Sequence, residues 1–236
     1  TVRQWKNAAL PGSLAALSDG GIFLAFLNTP EDDLAEVQIH TIESAKGDVK
    51  LISHTDTNAD SIRAANGTTS YTIAGDLLVK NNSSKETLLA VEGNAELASD
   101  DRMTVKELTV GGNAKLQAAK DLKIIGGTVG GDADLSSGSD LTVKDLTAGG
   151  DAVLKSSGNI LAEGLLVAKD AAMTSGGFLQ ADGISVGGKL QMNADRYIDA
   201  VFHEPVSGTV IDAEAGEAIR MVFKEKADAA LKLAAK

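Results

Sequence analysis

Asn94, Asn113, Asp132, Asp151 and Asp170 recur at one spacing of 19 residues. In a chain that stacks its repeats, they form a column of amides and carboxylates about 5 Å apart. Carboxylates that close repel, and a hard cation relieves the repulsion. Asp132, Asp151 and Asp170 are therefore the candidate calcium ligands. Calcium takes about six to eight oxygens, and Lys189 occupies the next place in the column. The plainer role is a corner, where Asn and Asp tolerate left-handed backbone beside glycine. No cofactor is expected, and calcium is the one ion worth testing.

Other chemistry finds less support. Gly126-Gly-Thr-Val-Gly-Gly131 resembles a phosphate-binding glycine loop, but it lacks the strand–loop–helix setting and its glycines follow the 19-residue period. Glycoside hydrolysis needs two carboxylates placed as a pair. Carboxylates abound here without such a pair, and aromatic platforms for sugars are scarce. His40, His54 and His203 are far apart in sequence, and no Ser/His/Asp pattern accompanies them. The chain is read as non-enzymatic, with no catalytic residue assigned.

The spacing itself sets the architecture. Val91-Glu-Gly-Asn-Ala-Glu-Leu97 returns as Val110-Gly-Gly-Asn-Ala-Lys-Leu116, Val129-Gly-Gly-Asp-Ala-Asp-Leu135 and Ala148-Gly-Gly-Asp-Ala-Val-Leu154. Val167-Ala-Lys-Asp-Ala-Ala-Met173 and Val186-Gly-Gly-Lys-Leu-Gln-Met192 continue it. Apolar residues alternate in bursts within each repeat, as at Leu122 and Ile124, which signals short strands with one inward face. Gly-Gly-Asn/Asp and Ser-Ser-Gly clusters supply corners. The expectation is an all-β, right-handed parallel β-helix with 19-residue rungs.

Four columns follow: Val91 to Val186, Leu97 to Met192, Met103 to Leu179, and a small-residue column of Ser99, Ala118, Ser137, Ser156 and Ser175 that marks a tight bend. The rungs are read over 37–211. Residues 1–36 form a nonrepetitive N-terminal segment, a possible cap. Residues 212–236, with Ile219, Val222, Phe223, Ala227, Ala230 and Leu231 at helical spacing, are read as an amphipathic capping α-helix. The polar stretch 58–70 reads as an outward excursion. Loops on solenoids commonly bind partners, so Asn58, Asp60, Arg63 and Asn66 are the binding candidates.

Composition narrows the partners. Asp and Glu number 33 against 22 Lys and Arg, a net charge of −11. Such a surface disfavours nucleic acid and anionic membranes. No apolar stretch is long enough for a membrane-spanning helix. There is no cysteine, which excludes disulfides and thiolate metal sites.

The unit Val-Gly-Gly-Asn/Asp-Ala-x-Leu, followed by Asp-Leu-x-Val and Leu-Thr, resembles the repeats of filamentous haemagglutinin-type exoproteins. The resemblance covers 37–211. It implies a structural or adhesive segment of a large secreted or cell-surface bacterial protein, with flanking domains and a host or neighbouring-cell receptor or glycan as partner. Such proteins are commonly exported by two-partner secretion, although residues 1–33 do not look like their secretion domain. Two alternatives stand beside it: a bactofilin-like cytoskeletal polymer, and a polysaccharide-acting β-helix enzyme.

Overall fold

A computed structural model of the chain describes residues 2–3, 14–26, 36–204, 206–225 and 227–235. These form a parallel β-solenoid of about 10 turns. The register steps Val37↔Thr57↔Leu77↔Ala95↔Ala114 and then by 19 residues through Ala133, Ala152 and Ala171 to Leu190, before Ile211 and Leu231. Every pairing is between a residue and its equivalent one rung away.

A regular rung has two parts. Ala114–Ala118 is a short strand, and Leu122–Val129 is a longer strand bent at Gly126. That bend is a column in its own right: Glu107, Gly126, Asp145, Gly164 and Gly183 all have positive φ, from 52° to 72°. A single left-handed residue turns the chain there without a loop. Glu107 and Asp145 accept this conformation at a cost of about 1–2 kcal/mol relative to glycine.

The apolar columns lie inward as their spacing requires. Leu97, Leu116, Leu135, Leu154, Met173 and Met192 are fully buried and stack in register. Met103, Leu122, Leu141, Ile160 and Leu179 do the same on the next face. Each such side chain contributes about 1.5–3 kcal/mol by leaving water. Ion pairs on the outside also join neighbouring rungs, as in Lys115 to Glu96 (2.7 Å) and Lys120 to Asp101 (2.8 Å). Exposed pairs of this kind stabilise by at most about 1 kcal/mol each.

The C-terminal capping helix is not there; no helix occurs among the described residues. Ala218–Phe223 and Ala227–Ala235 are strands. Their apolar residues fit a period of two as well as a helical one, and the preceding rung decides between them. Ile219 pairs with Ile198, Met221 with Ala200 and Phe223 with Phe202. The rings of Phe202 and Phe223 stack at 4.9 Å and 8°. A waiting strand edge overrides the helical preference of Ala and Lys. Leu231 and Leu233 continue the inward columns of Ile211 and Ala213 and are 49% exposed.

The solenoid also extends upstream of residue 37. Leu14–Ser18 and Ile22–Phe26, inside the segment read as nonrepetitive, pair with Glu36–Ser44 and Val49–Ser53. The rest of 1–36 lies outside the described residues, apart from 2–3, which pair with Phe23 and Leu24.

The excursion expected at 58–70 is a second correction. Asp56–Ile73 is one 18-residue strand that passes around the turn. Its polar residues mostly face outward, as at Asp60, Arg63 and Asn66, while Ala59, Ile62 and Ala64 are buried and Thr69 brings a hydroxyl inside. Thr69, Asn82 and Thr87 are buried and bond to one another, with Thr69 Oγ1 donating to Asn82 Oδ1 (3.2 Å) and Asn82 Nδ2 donating to Thr87 Oγ1 (2.9 Å). The buried Tyr71 hydroxyl donates to the same Asn82 Oδ1 at 2.7 Å, and burial pushes its pKa upward. These four side chains form one hydrogen-bonded cluster beside the apolar Ile62, Ile73 and Leu89.

Leu135→Asp places a carboxylate in a fully buried column. It should destabilise the chain by about 4 kcal/mol or more, read as loss of the cooperative unfolding transition in a denaturant titration.

Candidate functional site

The column of Asn94, Asn113, Asp132, Asp151 and Asp170 has a defined hydrogen-bonding role. At each corner the backbone bonds reverse direction. Gly131 N–H donates to Gly112 O in the previous rung (2.9 Å), whereas Ala133 N–H donates to Asp151 O in the next (2.8 Å). Asp132 N–H lies between them and faces Asn113, whose own carbonyl is turned away to accept Ala95 N–H (2.9 Å). A buried or crowded amide without an acceptor is costly. The Asn113 side chain replaces the missing carbonyl: Asp132 N–H donates to Asn113 Oδ1 at 2.8 Å.

The substitution repeats along the axis. Asp76 N–H donates to Asp56 Oδ1 (2.8 Å), Asn94 N–H to Asp76 Oδ1 (2.6 Å) and Asn113 N–H to Asn94 Oδ1 (2.8 Å). Asp151 N–H donates to Asp132 Oδ1 (2.9 Å), Asp170 N–H to Asp151 Oδ1 (3.0 Å) and Lys189 N–H to Asp170 Oδ1 (2.7 Å). Lys189 therefore closes the column as a donor.

The glycines follow from the same contact. A Cβ on Gly93, Gly131, Gly150 or Gly188 would strike the Oδ1 of the Asx residue below it. Left-handed backbone is not the reason for this corner, because the Asx residues do not have positive φ. The reason is close approach. Lys169 stands where the other rungs carry glycine, and the bond beside it, Asp170 to Asp151, is the longest of the series.

A second, shorter column works the same way on the next corner, where Asn159 N–H donates to Asp140 Oδ1 (2.8 Å) and Phe178 N–H to Asn159 Oδ1 (3.1 Å). There the amide column gives way to the stacked rings of Phe178 and Tyr197, 5.2 Å apart. The serine column closes the preceding bend. Ser175 Oγ accepts Gly177 N–H (3.2 Å) and donates toward the carbonyls of Phe178 and, one rung back, Gly158 (both 2.8 Å).

Asp132, Asp151 and Asp170 thus stand in successive rungs, each with one oxygen committed to a backbone amide. Among the described residues no three His, Asp or Glu side chains gather in a metal-binding arrangement. An open groove of about 490 Å³ runs beside the column, and Asn58 and Asp132 both line it.

The other three binding candidates lie further around the turn. Exposed Asp60 accepts Lys80 Nζ (2.8 Å) and faces His40 Nδ1 (3.1 Å). Lys80 and, after it, His40 hold its carboxyl below the usual range. Arg63 donates to Glu43 Oε1 at 2.8 Å, and Asn66 Nδ2 donates to Ala45 O at 3.0 Å. His203 and Asp182 form a similar pair at 2.7 Å.

The chain matches no protein-family model, no curated protein and no solved structure.

Asp132→Asn retains the acceptor for Asp151 N–H and should change stability by less than about 0.5 kcal/mol, whereas Asp132→Ala removes it and should cost about 1–2 kcal/mol. Unfolding midpoints with calcium and with a chelator provide the check. The hydrogen-bond role predicts the same ranking in both; a calcium ligand would make the Asn variant lose a calcium-dependent increment.

Proposed function

We propose that this chain is a rigid shaft or display segment of a secreted or cell-surface bacterial protein, of the haemagglutinin-repeat exoprotein kind. It works without catalysis. The observation that supports the reading is the axial continuity of the Asx–Gly column from Asp56 to Lys189, with one side-chain-to-backbone bond at each step. A solenoid locked along that column resists bending and shear there, because each repeat contacts only its neighbours and cannot slip past one of them.

About 10 turns at about 4.8 Å each give a body roughly 48 Å long. Its outer faces carry side chains that the fold does not require inward, among them Asp60, Arg63 and Asn66. These are the places where a receptor or glycan on a host or neighbouring cell would be met.

Intact cells that produce the protein should be labelled on it by a membrane-impermeant reagent, and externally added protease should degrade it. Protection from both reagents, together with cytoplasmic filaments seen by immuno-electron microscopy, would favour the bactofilin-like polymer and contradict the shaft.

A further inference from the structure

Three triplets in the chain have the form Asn-x-Ser/Thr: Asn66-Gly67-Thr68, Asn81-Asn82-Ser83 and Asn82-Ser83-Ser84. That pattern is the acceptor for N-linked sugars, which need an exposed asparagine. The fold treats the three differently, and we propose that Asn66 alone is an N-glycosylation acceptor in the folded protein.

Asn82 is 1% exposed, with its carboxamide held by Tyr71, Thr69 and Thr87. A sugar there would break the interior network. Asn81 has its carboxamide oxygen buried and its Nδ2 donated to Asp100 Oδ2 at 3.3 Å. The Asn82 and Ser83 that complete its triplet are paired in the ladder with Ile62 and Arg63.

Asn66 is exposed. It stands on a step in the strand. On one side the register reaches Ala64↔Ser84 and resumes at Thr68↔Glu86; on the other it reaches Ala64↔Ser44 and resumes at Thr69↔Val49. Residues 65–67 form that step and have no ladder partner on either side, so an enzyme can reach the Asn66 side chain without breaking a paired strand.

The chemistry also fits the hydrogen bond from Asn66 to Ala45 O. Its Nδ2 attacks the anomeric carbon of a diphosphate-activated sugar. A C–N bond forms, the C–O bond to the diphosphate breaks, the nucleoside diphosphate leaves, and one amide proton passes to the enzyme's base. The nitrogen retains its second proton, and Nδ2 needs only one to donate to Ala45 O.

The test is to incubate the native chain with a soluble asparagine glycosyltransferase and its nucleotide-sugar donor, and to map the product by mass spectrometry. Denatured chain treated the same way shows what the enzyme accepts without the fold. The expected result is one sugar on the native chain, at Asn66, absent from Asn66→Gln and from Thr68→Ala, with both variants retaining the native circular dichroism spectrum. A sugar at Asn81 or Asn82 of the native chain overturns the proposal. So does a native chain left bare at Asn66, whether or not the denatured chain accepts there.

Discussion

A coiled β-ribbon must solve one problem at each corner: the amide where the ladder reverses direction has no carbonyl to face. Here the solution is an asparagine or aspartate oxygen from the neighbouring rung. Asn113 supplies it to Asp132 and Asp132 to Asp151. The contact constrains its surroundings. The oxygen sits where the next glycine would carry a Cβ, so glycine accompanies the Asx residue at most rungs, and where Lys169 replaces it the bond is the longest of the series. The equivalent residue of each rung within the column is both donor and acceptor, which keeps the corner in register even where the rung has 20 or 18 residues rather than 19.

That local constraint propagates inward. Once the corner Asx residues stack in register, the side chains one and three places on also stack, and Leu97, Leu116 and Leu135 become a continuous buried column. The apolar column supplies most of the stabilisation, because burial outweighs a net hydrogen-bond contribution of about 1 kcal/mol. The hydrogen-bonded corner supplies the alignment, since apolar contact is non-directional. With both, each rung is aligned on its neighbours as well as packed against them.

The period and the inward columns were legible because one residue type repeats at each place. The purpose of the corner was only half legible. Asn and Asp beside glycine were read as residues suited to left-handed backbone, but that conformation belongs to Glu107, Gly126, Asp145, Gly164 and Gly183. Those five share the 19-residue spacing, and their mixed chemistry hid the signal. The strand over 58–70 is hard to read because two of its inward residues are the small Ala59 and Ala64, the register shifts between Ala64 and Thr68, and the next inward residue is Thr69, bonded to Thr87. The C-terminal strands were misread because Ile219 and Phe223 satisfy two periods, and only a neighbouring strand edge selects one. The left-handed bend and the second amide column at Asp140 and Asn159 lay in the same spacing that revealed the first.

Amide hydrogen exchange on the native chain tests the corner contact most directly. The side chains of Asn113, Asp132 and Asp170 are exposed or nearly so, yet their backbone amides are donated to the rung below. The account predicts that these amides exchange as slowly as those of the buried leucine column. Exchange at the rate of a free surface loop would mean that the corners are held open to water, and the axial hydrogen bond would not be what aligns the solenoid.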